Sequence, residues 1–253
     1  MKSHKLRLTQ ADAVVKTIEL LGGIATLGDL NREVLKIEGV EWRTKTPFAS
    51  IRRIVQLDKR LFKIEPGLYG LTSMKKQLES KEIFEISDMR KQSHASQEFS
   101  HSYYQGIITS VGNLKGFETY LPDQDKGKPF GKTQKLGELR KLPKIPPFSY
   151  ERFINRSKTV DVIWFNHRRM PDSFFEVEHS TQIQNSLLKF VDLQDFNARM
   201  LIVSPKQRRA EFEQKMQFEA FREIQERVLF IDYESVVKQY EKLLEESQQE
   251  IVL

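Results

Sequence analysis

The stretch SFFEVEHST, Ser173 to Thr181, carries the sharpest conflict in the chain. Phe174, Phe175 and Val177 are the residue types of a buried strand, yet Glu176 and Glu178 interrupt them. Successive strand side chains point to opposite faces, so both carboxylates leave one face and Val177 the other. Like charges at that spacing repel, and a buried carboxylate is costly unless something positive compensates it. The preceding run TVDVIWF, residues 159–165, reads as a second strand carrying Asp161. The loop NHRRMPDS between them has hairpin length, which predicts antiparallel pairing. Pairing Phe165 with Phe174 sets Asp161 opposite Glu178 and Ile163 opposite Glu176, with Asp161 a diagonal neighbour of Glu176. Three carboxylates then share one patch. Nearby Lys or Arg could neutralise it, and so could a hard divalent cation.

The surrounding elements give the patch a frame. TQIQNSLLKFVDLQDF (residues 181–196) has the spacing of an amphipathic helix, and ARMLIVSP (198–205) reads as a strand. A long polar helix is predicted from Lys206, and RVLFIDY (227–233) is a last strand. Upstream, SQEFSHSYYQGIITSVGNLKG reads as a helix ended by Gly112, and GFETYLP as a short strand. Residues 123–158 are rich in Lys, Arg and Pro and read as a long loop or insertion. The order is α-β-β-β-α-β with further elements, an α/β class with a mixed central sheet.

Residues 8–72 have a different pattern of three helices and a hairpin. Thr9 is placed to cap the first helix and Gly22-Gly23 to stop it. Leu27, Leu30, Val34 and Leu35 mark the second helix. Thr46 and Pro47 open the third, whose apolar face is Phe48, Ile51, Ile54 and Val55. Arg52 and Arg53 lie off that face, Arg52 most clearly. LFKIEPGLYGLT alternates around Pro66-Gly67 as a tight hairpin does. This is the order of a winged helix-turn-helix, in which the third helix enters the major groove beside the hairpin wing. Arg43, Lys45, Arg52, Arg53, Lys59 and Lys63 gather in and around those two elements. The expected organisation is a winged-helix DNA-binding domain at 1–75, a linker at 76–95 and a second domain at 96–253.

Charge supports the division. Residues 1–75 hold 14 Lys/Arg and 8 Asp/Glu, which accounts for the whole net charge of +6. A basic module on a balanced body points to a polyanion, most often nucleic acid. With 39% hydrophobic residues and 17 Phe, the chain can bury real cores. It has no cysteine, which excludes disulfides, thiolate metal sites and a Cys nucleophile, and fits a cytoplasmic setting. No apolar run approaches the roughly 20 residues of a membrane span, and MKSHKLRLTQ has no signal-like apolar core.

Two resemblances extend these readings. WRTKTPFASIRRIVQ…LFKIEPGLYGL resembles the HARE-type winged-helix domains, over roughly a quarter of the chain. That resemblance implies DNA binding, with Lys45, Arg52, Arg53 and Lys63 as candidate contacts. DVIWF…SFFEVEHST resembles the PD-(D/E)XK nucleases, whose core is an α-β-β-β-α-β unit. It implies that Asp161 and Glu176 hold Mg²⁺, with Mn²⁺ able to substitute. It also puts Glu178 where the family usually has a Lys that helps the attacking water. A Glu at that place occurs in some active restriction enzymes, where it binds metal or acts as a base. Several such families add an acidic residue on the first helix, and Glu98 is the candidate here. Gln182 and Lys189, on the polar face of the next helix, could touch phosphate or water, the alternative being an ordinary solvated face.

The implied activity is that of a Mg²⁺-dependent, restriction-type endonuclease on double-stranded DNA, with a homodimer as the expected way to cut both strands. The rivals are a DNA-binding regulator with an inactive nuclease-like core, and a nuclease acting on RNA or branched DNA.

Overall fold

A computed structural model describes residues 8–42, 47–80, 94–131 and 134–249. The chain divides into two units, residues 1–96 with 131–133 and residues 97–130 with 134–253. No helix of the described residues is long and apolar enough to cross a membrane.

The first unit begins with α1 (Gln10–Leu20), β1 (Ile24–Thr26) and α2 (Leu27–Glu33). It continues with α3 (Pro47–Leu57), β2 (Leu61–Glu65), β3 (Leu68–Leu71) and α4 (Lys75–Ser80). Thr9 caps α1 as its position predicts: its side chain accepts from the Asp12 N–H, while the Asp12 carboxylate accepts from the Thr9 N–H. Thr26 and Asp29 make the same reciprocal box on α2. Thr46, the expected cap of α3, lies outside the described residues, as do Arg43 and Lys45.

The strands form an antiparallel sheet in the order β1-β3-β2. The β2–β3 turn passes through Gly67 at φ 75°, a conformation that glycine adopts without steric cost. Strand β1 is absent from the sequence reading, because three residues pressed between a Gly-Gly stop and a helix cap show no period. Val14, Ile18, Leu30, Ile51, Val55, Leu61 and Tyr69 pack into one core.

On α3, Ile51 and Val55 are buried, Arg52 is half-buried and Arg53 is exposed. The expectation that Arg52 points most clearly outward is therefore corrected. With about 3.6 residues per turn, Arg53 lies opposite the Phe48–Ile51–Ile54–Val55 face, and Arg52 lies on its flank.

The second unit takes all but the first three residues of α5 (His94–Leu114), then β4 (Glu118–Tyr120), β5 (Pro129–Phe130), β6 (Gln134–Lys135), α6 (Leu136–Leu139) and α7 (Glu151–Ser157). Then come β7 (Val162–Phe165), β8 (Pro171–Val177), α8 (Ile183–Asp192), β9 (Arg199–Ser204), α9 (Arg209–Met216), β10 (Val228–Asp232) and α10 (Tyr233–Gln249). Five strands make a mixed sheet in the order β10-β9-β8-β7-β4. The β4–β7 and β7–β8 pairs are antiparallel, while β8–β9 and β9–β10 are parallel. Ile163, Phe165, Phe174, Met200 and Ile202 share a core with Ile183, Leu187 and Phe190 of α8.

Four expectations change here. The hairpin register is two residues off: Ile163 pairs with Phe174 and Val162 with Phe175, and an irregularity falls between Trp164 and Phe165. Asp161 therefore comes level with Glu176 instead of Glu178. A two-residue slip keeps every side chain on its face, so the alternation by itself does not distinguish the two registers.

The first helix does not end at Gly112 but runs on to Leu114. Gly116 (φ 83°) turns the chain, and the Phe117 N–H reaches back to the Gly112 carbonyl at 3.0 Å. The polar helix after β9 is short, ending at Met216 and followed by a 3-10 segment at Glu219–Ile224. The basic stretch 123–158 contains the β5–β6 hairpin, α6 and α7, with Phe130, Leu136 and Leu142 buried. Each anchor is a single apolar residue among cations and prolines, a pattern without period.

Gly112 matters for another reason. A Cβ there would lie 2.5 Å from Trp164 Nε1 and 2.7 Å from Thr119 Cγ2. The Trp164 ring cannot easily yield: it donates to the Ile108 carbonyl at 3.2 Å and stacks on Phe117. Gly112→Ala is expected to lower the thermal midpoint, because overpacking costs ~1–3 kcal/mol while helix propensity returns at most ~1 kcal/mol. A midpoint at or above that of the unaltered chain, read by circular dichroism, would show that the ring moves aside.

Candidate active site

Where β7 begins and β8 ends, the side chains conflict with the apolar sheet around them. Asp161 stands one residue before β7, and its Oδ2 accepts the Val177 N–H at 2.7 Å. Glu176, on β8, is 1% exposed. Its oxygens take Lys189 Nζ at 3.0 and 2.8 Å, and Ser186 Oγ lies 2.9 Å from Oε2. Lys189 also donates to the Thr159 carbonyl at 2.7 Å, which ties α8 to the approach of β7. His101 of α5 comes within 3.4 Å of Asp161 Oδ1.

The protonation balance follows from this packing. Burial and the Asp161 charge push Glu176 well above the usual carboxylate range, and Lys189 only partly offsets them. Burial also opposes the Asp161 charge, but His101, Lys189 and the Val177 N–H together hold that carboxyl low. His101 and Lys189 lose solvation, yet the carboxylates facing them keep both pKa values raised.

Glu178 is buried just past the end of β8, its N–H still bonded to the Val203 carbonyl at 2.8 Å. Thr181 Oγ1 donates to one of its oxygens, and Ser186 Oγ meets the other. Ser186 thus stands between Glu176 and Glu178 with one proton to give. One carboxyl must then carry a proton of its own or leave the hydroxyl to the other, and Glu176 is the one whose burial favours protonation. Backbone contacts hold the same corner. The Glu178 carbonyl accepts from Ser204 Oγ at 2.6 Å and from Arg208 Nη1 at 3.2 Å, and Arg208 Nη2 reaches the Thr181 carbonyl at 2.6 Å.

The structure brings Asp161, Glu176, Glu178 and Lys189 together. Gln182 is exposed at the start of α8. Glu98 is exposed and faces Lys128 at 3.4 Å, whose ammonium also holds Asp125 at 2.9 Å. In the first unit Arg53 and Lys63 are exposed and Arg52 is half-buried, while Lys45 lies outside the described residues. Sequence reasoning missed Ser186. The available signal was its place three residues before Lys189, the spacing of one helix face.

Among the described residues no three His, Cys, Asp or Glu side chains converge as a ready-made metal cage. Mg²⁺ does not need one, since one or two carboxylates plus water and phosphate oxygens suffice. Asp161 and Glu176 are such a donor pair, and a divalent cation between them would offset the repulsion that raises Glu176. The residues present fit the ion.

Comparison with known proteins bears on this second unit. The family model described as the type II restriction enzyme NmeDI C-terminal domain matches residues 83–252. A type II restriction enzyme NmeDI from Neisseria meningitidis serogroup C is 28% identical over 119 residues, 43% of this chain and 34% of that protein. The chain thus spans about a third of the length of this curated relative. No solved structure matches the chain significantly.

Lys189→Met leaves Glu176 buried without its cation. Removing one partner of a buried pair costs about 3–5 kcal/mol. An acid whose folded pKa lies above its unfolded value loses stability as pH rises from the unfolded value, about 4.3, toward the folded one. Losing Lys189 raises the folded pKa of Glu176 further. The penalty should therefore be small near pH 4.5 and largest at pH 8. Urea titrations at both pH values would test this, and a pH-independent penalty would show that Lys189 does not compensate Glu176.

Proposed function

The chain belongs to the family of the type II restriction enzyme NmeDI C-terminal domain, and from that premise we propose that it is a restriction-type DNA endonuclease dependent on Mg²⁺. The observation that carries this reading is the buried meeting of Asp161, Glu176 and Lys189 at the β7–β8 end of the mixed sheet. In the PD-(D/E)XK reading of this corner, Asp161 and Glu176 would hold the metal. Mg²⁺ or Mn²⁺, when bound, would make water a stronger nucleophile and offset charge on the scissile phosphate.

The chain's own groups do the rest. Lys189 supplies from the helix the ammonium that the strand motif lacks, and stands beside Glu176 to stabilise an approaching anion or orient water. Glu178, at the usual Lys position, holds the start of α8 through Thr181 and Ser186, and so keeps Lys189 in reach. His101 positions Asp161. Glu98 would join the ligands only by leaving Lys128, so this mechanism assigns it no step.

In the first unit the order of helices and strands supports a winged-helix reading, with α3 as the reading helix. Its exposed Arg53 is then better placed than Arg52 to meet bases, and Lys63 on β2 to meet phosphate. A double-stranded DNA substrate follows from this reading. Cleavage of both strands by a single centre calls for a homodimer or two successive events.

Asp161→Ala and Glu176→Ala should each abolish plasmid nicking and linearisation in Mg²⁺ while duplex binding persists. Metal-dependent cleavage by a folded double variant would remove the site from consideration. Arg53→Ala should reduce discrimination between cognate and random duplex by ~1–3 kcal/mol if Arg53 reads a base edge. Equal losses on both duplexes would instead mark a phosphate contact.

A further inference from the structure

The 3-10 turn Lys206–Arg208 after β9 separates two environments. Arg208 turns toward the carboxylate corner and holds the Glu178 and Thr181 carbonyls. The next residue, Arg209, lays its guanidinium 4.6 Å from the centre of the Phe230 ring. Beyond it lies an open hollow of about 480 Å³, lined by Arg209, Lys238, Lys242, Ser235, Gln239 and Asp232 with Phe230 beneath.

On α10, Ser235, Lys238, Gln239 and Lys242 follow the spacing of one helix face, while Val236, Val237, Tyr240 and Leu244 are buried. The lining thus has three cations and one carboxylate. That carboxylate is occupied, because Asp232 Oδ1 accepts the Ser235 N–H at 2.8 Å. Burial raises its pKa, but Ser235, Arg209 and Lys206 outweigh that and hold it charged. Lys242 faces Glu246 at 3.6 Å in an exposed pair, the kind that contributes little and is readily exchanged.

We propose that this hollow holds a non-scissile phosphodiester of the nucleic-acid substrate, a reading that rests on the nuclease function proposed above. Arg208 and Arg209 are adjacent in sequence, so the hollow begins one residue from the backbone that frames Glu178. Its cations come from two elements and are strung along a helical turn. That arrangement suits an extended polyanion better than a single small anion. Gln239 adds a neutral hydrogen-bond donor, which serves phosphate oxygens without demanding a base sequence.

The test uses the full chain and a labelled duplex, with affinity measured across a salt series. Removing a phosphate-contacting cation lowers the slope of log affinity against log salt by roughly one. The double variant Lys238→Ala/Lys242→Ala should therefore lower the slope by about two, and it should raise KM for cleavage with kcat little changed. The charge-reversed Lys238→Glu/Lys242→Glu should weaken binding further, and Arg222→Ala, an exposed cation elsewhere, should leave the slope alone. Melting curves establish that each variant is folded, which exposed lysines on a helix surface permit.

If the unaltered chain binds and cuts duplex while both double variants keep its salt slope, the hollow is overturned as a DNA contact and the nuclease reading stands. If the unaltered chain neither binds nor cuts any duplex, the reading beneath the proposal falls and takes it along. Calorimetry with inorganic pyrophosphate separates the remaining source. Saturable binding lost in Lys238→Ala/Lys242→Ala, with the duplex salt slope unchanged, would make this a small-anion site and overturn the proposal.

Discussion

Two carboxylates stand side by side in a water-poor corner, and their mutual repulsion is what the second unit has to contain. Asp161 and Glu176 come from adjacent antiparallel strands, so pairing β7 with β8 forces them together. Each is offset by a different helix. His101 of α5 faces Asp161, and Lys189 of α8 grips Glu176. The compensation is unequal. Asp161 stays charged, while burial and the Asp161 charge favour the protonated form of Glu176. A corner poised in this way favours any cation that can enter it.

Keeping Lys189 in reach of Glu176 is a problem of chain geometry. Strand β8 is paired on both sides, so its end is fixed, and only five residues separate it from α8. Glu178 uses both oxygens on hydroxyls of that connection and of the helix, while Ser204 and Arg208 hold its carbonyl. Glu178 thus fixes the helix from which Lys189 reaches Glu176.

Charge is also distributed by unit. The excess of Lys and Arg in residues 1–75 gives the first unit a sequence-independent pull on polyanions, and α3 exposes Arg53 away from its core. In the second unit positive and negative residues balance, so its cations act by placement. Arg209, Lys238 and Lys242 collect at one hollow, whereas Arg222 is engaged by Glu219 on the surface. Local excess, more than net charge, separates a binding surface from a solvated one.

Much of this was legible without coordinates. The E-V-E alternation placed Glu176 and Glu178 on one face, the hairpin-length loop made the strands antiparallel, and Thr9 announced its helix. These signals are local, set by a few neighbouring residues and by the steric period of strand and helix. The rest depended on long-range packing. The register that brings Asp161 level with Glu176 differs by two residues from an equally well-patterned alternative, and it is decided by the Asp161 bond to the Val177 N–H and by pairing on both sides of β8. Gly112 stays inside its helix because Trp164 occupies the space a side chain would need. Ser186 looked like a polar residue on a helix face until the fold set it between two glutamates. The sequence by itself determined which residues carry charge and which face each leaves. Only the tertiary structure decided which charges meet, because the energies of Asp161 and Glu176 depend on partners 10 to 60 residues away along the chain.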